Sequence, residues 1–151
     1  MRVDVIIPFY NENQNLEILC RELSNVIPKL KHSYKVLFID DGSTDDSYTV
    51  VKNNIKNIQY EIIQKKSNGG QTLAFESAFK ILNSDYSIRM DSDLQDDPKD
   101  LHKFDMILAN DFDIILGFRG KRKHILPLKI ATYVFDQIVK FLGFSNLKSS
   151  S

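Results

Sequence analysis

The sequence predicts an α/β fold, a mostly parallel sheet flanked by helices on both faces, and three observations carry that prediction. Short β-branched runs alternate five times with longer segments of helical period. Strand followed by helix followed by strand implies parallel βαβ units with right-handed crossovers. Polar loops rich in carboxylates and glycine recur after the strands, where sheets of this kind bind ligands. With 151 residues the chain is read as a single domain, 1–151.

The elements follow in order. VDVII, residues 3–7, is a buried strand, and residues 15–30 place Leu16, Leu19, Leu23, Val26 and Ile27 on one helical face. KVLFID, 35–40, is a second strand closed by the turn DGSTDD, with Ser43 or Thr44 capping a helix that runs to about residue 55. YEIIQ, 60–64, is a third strand, KKSNGG a loop, and 71–82 a helix with apolar positions Leu73, Phe75, Ala78, Phe79 and Leu82. YSIRM, 86–90, is a fourth strand, and 98–110 a helix with Pro98 in its first turn. FDIILG, 112–117, reads as a fifth strand, and the remainder as a helix after Pro127 that stops near Gly143.

Hydrophobic residues at 42% and charged residues at 26% are globular values and argue against disorder. Twenty Lys plus Arg balance twenty Asp plus Glu, so no global field points to nucleic acid. The charge is uneven: residues 91–113 are rich in Asp, whereas RGKRKHILPLK, 119–129, is basic. That layout suits an anionic ligand carried on a metal. Cys20 has no partner for a disulfide and falls on an apolar helical pattern, which predicts a buried structural thiol and a reducing, cytoplasmic setting. No stretch approaches ~18 apolar residues, so no spanning helix is expected.

Three loops carry more polar groups than a turn needs. PFYNEN, 8–13, reads either as a ligand loop or as a strand ending at proline with an Asn cap, and DDGSTDD, 40–46, as a ligand loop or a capped turn. The third, DSDLQDDP, holds four carboxylates between residues 91 and 97. Two unit charges ~4 Å apart repel by about 4 kcal/mol near a protein surface. On an extended chain Asp91 and Asp93 project to one side, where both reach one hard cation, Mg²⁺ or Mn²⁺, with the Gln95 carbonyl oxygen beside them. Asp96 and Asp97 precede Pro98 and are read as caps. A solvated acidic loop is the alternative. The two glycines of NGGQT, 68–72, either bring backbone amides close to a ligand or make a plain turn. His32, His102 and His124 share no metal-ligand spacing, and no nucleophile motif is present.

Together, VDVIIPFYNENQNL, VLFIDDGSTDDS, KSNGGQTLAFESAF and IRMDSDLQDDP resemble the nucleotide-sugar domain of family 2 glycosyltransferases, in family order and spacing over roughly residues 2–148. The nearest likeness is to polyprenyl-phosphate glycosyltransferases of the dolichyl-phosphate mannosyltransferase type. The resemblance implies a GT-A type fold binding a GDP- or UDP-linked sugar through a divalent cation. It assigns Pro8, Tyr10 and Glu12 to the loop packing on base and ribose, and Asp41 to the base. Asp91, Ser92, Asp93 and Gln95 fall in its metal and diphosphate motif, with Asp91, Asp93 and Gln95 as metal ligands and Asp93 counted as catalytic. Arg119 in GFRG matches an arginine near the phosphates, where it would offset charge on the leaving diphosphate.

A sugar-hydroxyl acceptor requires a general base, and Asn146 stands about where the family often has an aspartate. A phosphate monoester has a second pKa near ~6 and is already anionic, so a polyprenyl phosphate acceptor relaxes that need. Residues 119–140 interleave basic and apolar side chains, which reads either as contact with the cytoplasmic face of a membrane or as a core helix with solvated lysines. Three readings compete: a transferase, an inactive or partial nucleotide-sugar-binding module, and a phospho-receiver domain. The last requires an aspartate pair after the first strand, where this chain has PFYNEN.

Overall fold

The computed structural model describes residues 1–110 and 112–117. Contacts divide the chain into two compact units, Met1–Asp113 and Ile114–Ser151, and every element below lies in the first. These are β1 (Arg2–Phe9), α1 (Asn13–Val26), β2 (Ser33–Asp40), α2 (Ser47–Asn54), β3 (Gln59–Gln64), α3 (Gln71–Phe79), β4 (Tyr86–Arg89) and α4 (Leu101–Ile107). Short 3₁₀ turns extend α1 through Ile27–Lys29 and bracket α4 at Pro98–Asp100 and Leu108–Asn110.

The strands form one parallel sheet in the order β3-β2-β1-β4. Right-handed crossovers through α1 and α2 step one way, and the crossover through α3 steps back past β1, so α3 must lie on the opposite face. The core agrees. Ile6, Leu37 and Ile39 pack on Ala74 and Ala78 of α3, while α1 buries Leu16, Leu19, Cys20, Leu23 and Val26. Each such large side chain contributes roughly 1.5–3 kcal/mol on burial. The strand order reverses between β1 and β4, so the loops after those strands flank the switch point.

Pro8 sits inside β1 without loss. Ile6 bonds towards β4 through Met90, and Phe9 bonds towards β2 through Asp41. By strand alternation Pro8 faces the β4 side, beyond the end of the β1–β4 ladder, so its missing N–H breaks no ladder bond.

Four expectations change. Residues 112–117 form no strand, and Ile114 and Leu116 are 77% and 85% exposed: a β-branched run becomes a strand only when a neighbour accepts its hydrogen bonds. The buried face of α3 is Ala74 and Ala78, with Phe75 and Leu82 partly buried, whereas Leu73 and Phe79 are exposed. Alanines at i and i+4 let the helix approach the sheet more closely than larger residues would. The helix after β2 begins at Ser47 rather than being capped by Ser43 or Thr44, because those two residues bond to Asn11 and Asp40 instead. Residues 91–95 form a turn, not an extended strand end.

Candidate active site

β1 and β2 end in register, Phe9 beside Asp40, so their loops leave the sheet together. Asn11 joins them. At φ 54° it adopts the left-handed conformation that Asn tolerates, and its Oδ1 accepts from the amides of Thr44 at 2.8 Å and Asp45 at 3.3 Å. In return the Asn11 amide donates to Ser43 Oγ at 3.1 Å and the Glu12 amide to Ser47 Oγ at 2.8 Å. Pro8 is buried, Tyr10 is 42% exposed, and Glu12 Oε2 accepts from Asn15 Nδ2 at 2.6 Å. The exposed Tyr10 ring therefore presents a flat apolar surface beside this junction.

Asp41 is 4% exposed and holds the next loop. Its carboxylate accepts from the Lys65 ammonium, from the Gly69 amide at 3.1 Å to each oxygen, and from the Gly70 amide at 2.7 Å. Burial works against its charge, but the Lys65 hydrogen bond and the two glycine amides outweigh it and hold the carboxyl below its ordinary range. Two hydrogen bonds on each oxygen match a carboxylate's roughly four lone-pair directions, with the Gly69 amide shared between both oxygens. Gly42 is required here: at φ 79°, a Cβ would stand 2.6 Å from the Ser67 carbonyl carbon.

The acidic turn follows β4. Leu94 at φ 64° reverses the chain, which lets the Gln95 amide donate to Asp93 Oδ1 at 3.0 Å and the Asp91 amide to Asp96 Oδ2 at 3.0 Å. Asp97 caps the Pro98–Asp100 turn by accepting from the Lys99 amide at 2.9 Å, as read, whereas Asp96 braces Asp91. Asp91 Oδ1 accepts from Arg89 Nη2 at 3.0 Å and from Gln71 Nε2 at 3.4 Å. The like charge of this stretch is thus countered by a guanidinium and by backbone amides. Ser92 is buried and Asp93 exposed.

Among the described residues no group of three or more His, Cys, Asp or Glu is arranged around a common ion. The expected set is smaller, two carboxylates and the Gln95 amide oxygen, and these hard oxygen donors fit Mg²⁺ or Mn²⁺ with the remaining positions supplied by water and ligand phosphate. Four residues of the site were missed in the sequence: Asn11, Lys65, Gln71 and Arg89. Only Arg89 left a readable signal, since it precedes Asp91 by two and so shares its side of the strand end. Arg119, Asn146 and the segment 119–140 lie outside the described residues.

Residues 4–137 match the profile of glycosyl transferase family 2. The chain belongs to this family. A curated relative, undecaprenyl-phosphate 4-deoxy-4-formamido-L-arabinose transferase of Sodalis glossinidius, is 28% identical over 141 residues, 92% of this chain and 43% of the relative. The chain therefore spans less than half the length of the curated relatives it matches. Among solved structures, S. aureus TarS 1–349 in complex with UDP-GlcNAc aligns with a TM-score of 0.63 at 21% identity, over 83% of this chain and 37% of that one. The mannosyltransferase PcManGT from Pyrobaculum calidifontis, in complex with GDP-Man and Mn²⁺, aligns at 0.52 and 22% identity over 61% and 27%. These likenesses establish the fold, which is the expected GT-A type. The resemblance read from the four motifs holds at the level of the family, and the relative's name is that of a polyprenyl-phosphate sugar transferase.

Proposed function

We propose that this family 2 chain binds a nucleoside diphosphate sugar, GDP- or UDP-linked, together with Mg²⁺ or Mn²⁺, for transfer of the sugar to a polyprenyl phosphate. One observation carries the reading. A continuous hydrogen-bonded path crosses the carboxyl ends of the strands, from Asn11 to Thr44 and Asp45, from Asp41 to Gly69 and Gly70, and from the adjoining Gln71 to Asp91. The three loops assigned to the nucleotide, and the NGGQT loop read as either a ligand loop or a turn, are thereby tied together at the carboxyl ends of the strands, which is what preorganised binding of a long ligand needs.

In this arrangement Pro8, Tyr10 and Glu12 flank the base and ribose, Tyr10 by stacking, and Asp41 contacts the base edge, the shared Gly69 amide giving up one of its two oxygens and keeping the other. Asp91, Ser92 and Asp93 meet the diphosphate. A divalent ion held by Asp91, Asp93 and Gln95 would neutralise that diphosphate as it departs. Arg119 adds positive charge on the same leaving group, and the acceptor phosphate attacks as an anion, with no general base demanded of the chain. The names of the relatives support a polyprenyl phosphate acceptor, and the solved neighbours support a nucleotide sugar with metal. No helix among the described residues is long and apolar enough to cross a membrane. A place at the cytoplasmic face, through residues 119–140, belongs to this proposal.

Calorimetric titration of GDP and UDP into the chain, with and without Mn²⁺, tests it. Metal-dependent binding of one nucleotide is expected; binding of neither, or binding indifferent to metal, refutes the reading. Turnover of a nucleotide sugar with undecaprenyl phosphate then tests the acceptor.

A further inference from the structure

We infer that Arg89 makes metal binding at Asp91 conditional on the nucleotide, an inference that rests on the reading just given. Arg89 is the last residue of β4, and its Nη2 lies 3.0 Å from Asp91 Oδ1. The guanidinium carbon stands 5.3 Å from the centroid of the Phe75 ring, a face-on cation–π distance, and Phe75 is itself packed against the Ile6, Leu37, Ile39 core. Gln71 Nε2 approaches the same Asp91 oxygen at 3.4 Å. The sheet, the aromatic ring and the helix therefore hold a cation on the oxygen that a metal needs.

A free divalent ion reaching Asp91 Oδ1 meets a positive group already there and must break an ion pair to bind. An ion that arrives with a nucleoside diphosphate brings anionic oxygens that match the planar fork of an arginine, so Arg89 exchanges one acceptor for another without losing a partner. Metal affinity then rises when the nucleotide is present, and by linkage nucleotide affinity rises by the same factor when the metal is present. Arg89 acts through Asp91, as a positioning residue, and keeps the acidic turn neutralised until metal and diphosphate bind together.

The test uses the full chain, with Mn²⁺ titrations followed by the electron paramagnetic resonance of the free ion, in the absence and presence of GDP and of UDP. Arg89→Met keeps an apolar stem against Phe75 and removes the charge. It is expected to tighten nucleotide-free Mn²⁺ binding roughly two- to fivefold, the range that corresponds to an ion pair as exposed as this one. With nucleotide the variant binds Mn²⁺ no more tightly than wild type, so the gap between the two conditions narrows. Arg89→Gln, a second chargeless variant, behaves like Arg89→Met, and Arg89→Lys restores the wild-type nucleotide-free affinity. A merely structural Arg89 would weaken Mn²⁺ binding in both conditions on substitution. That result, or equal affinities for wild type and both chargeless variants, overturns the inference while leaving the nucleotide-sugar reading in place. Absence of Mn²⁺ binding by wild type with either nucleotide overturns both.

Discussion

The Gly70 amide donates to Asp41 Oδ2 at 2.7 Å, and that contact ties the end of β2 to the turn that opens α3. With Gly69 and Lys65 it makes one buried carboxylate the anchor of a whole loop. Asp41→Asn keeps the size but removes the charge and turns an amide N–H₂ towards donors. We expect a loss of about 2–3 kcal/mol, because the Lys65 ammonium and the glycine amides are left facing a weaker acceptor. A urea midpoint within error of wild type would show that the loop is held by other means.

The same carboxyl sets a pH dependence. Its folded value lies below the ordinary 3.8, since hydrogen bonds from Lys65, Gly69 and Gly70 outweigh the opposing effect of burial. A depressed folded pKa contributes stability that is present above the unfolded value and is lost as pH falls through the folded one. Stability should therefore drop from about pH 4 downward, and Asp41→Asn should flatten that drop in part. Asp45, also held below its ordinary range, supplies another share. Urea midpoints compared at pH 5 and pH 3 measure both.

Gly42 and Gly70 share a left-handed backbone, φ 79° and 82°, yet differ in surroundings. A Cβ at Gly42 meets the backbone of Ser67 at 2.6 Å and of Asn68 at 2.8 Å, whereas one at Gly70 meets nothing within 4 Å. Gly70→Ala should cost about 1–3 kcal/mol from backbone strain alone, because φ 82° with ψ 165° is essentially confined to glycine. Gly42→Ala adds a clash with the Ser67 and Asn68 backbone to its own strain, and it should weaken nucleotide binding as well, because the loop carrying Gly69 and Gly70 must shift. Wild-type nucleotide affinity and an unchanged thermal melt in Gly42→Ala would contradict the close approach of these two loops.

Asp91→Asn and Asp93→Asn separate site from scaffold. Both residues sit on a turn held largely by backbone donors, so melting temperatures should change little, while Mn²⁺-dependent nucleotide affinity should fall by at least about tenfold, the loss of roughly 1.4 kcal/mol. Retained metal dependence in the double variant would remove the ion from these positions.

Cys20 is fully buried, and burial pushes its thiol up to about 12. A thiolate is the reactive form, so a thiol reagent at pH 8 should label the native chain only at the rate at which it unfolds. Labelling as fast as in urea would place the residue at the surface.

Periodicity made much of this legible. The α1 face of Leu16, Leu19, Leu23, Val26 and Ile27 is buried as read, and the four strands 3–7, 35–40, 60–64 and 86–90 all form, each within a few residues of its expected bounds. These features depend on which side of a local helix or strand a residue falls, and spacing alone decides that. The burial of α3 followed from spacing only in part: Ala78, Phe75 and Leu82 turn inward as read, but Leu73 and Phe79 are exposed and the sheet takes the small Ala74 instead.

The amino-acid order by itself determined that Asp91 and Asp93 stand after a strand, with two glycines before a helix and an aspartate after another strand. Only the tertiary structure decided that residues 112–117 form no strand, and that Asp41 grips Gly69 and Gly70 from 28 and 29 positions away. It also decided that Asp91 shares one oxygen between Arg89 and Gln71, with Phe75 behind the guanidinium. The reason is physical: a hydrogen bond or ion pair between distant residues depends on where the sheet brings two loops, and local spacing carries no information about that distance.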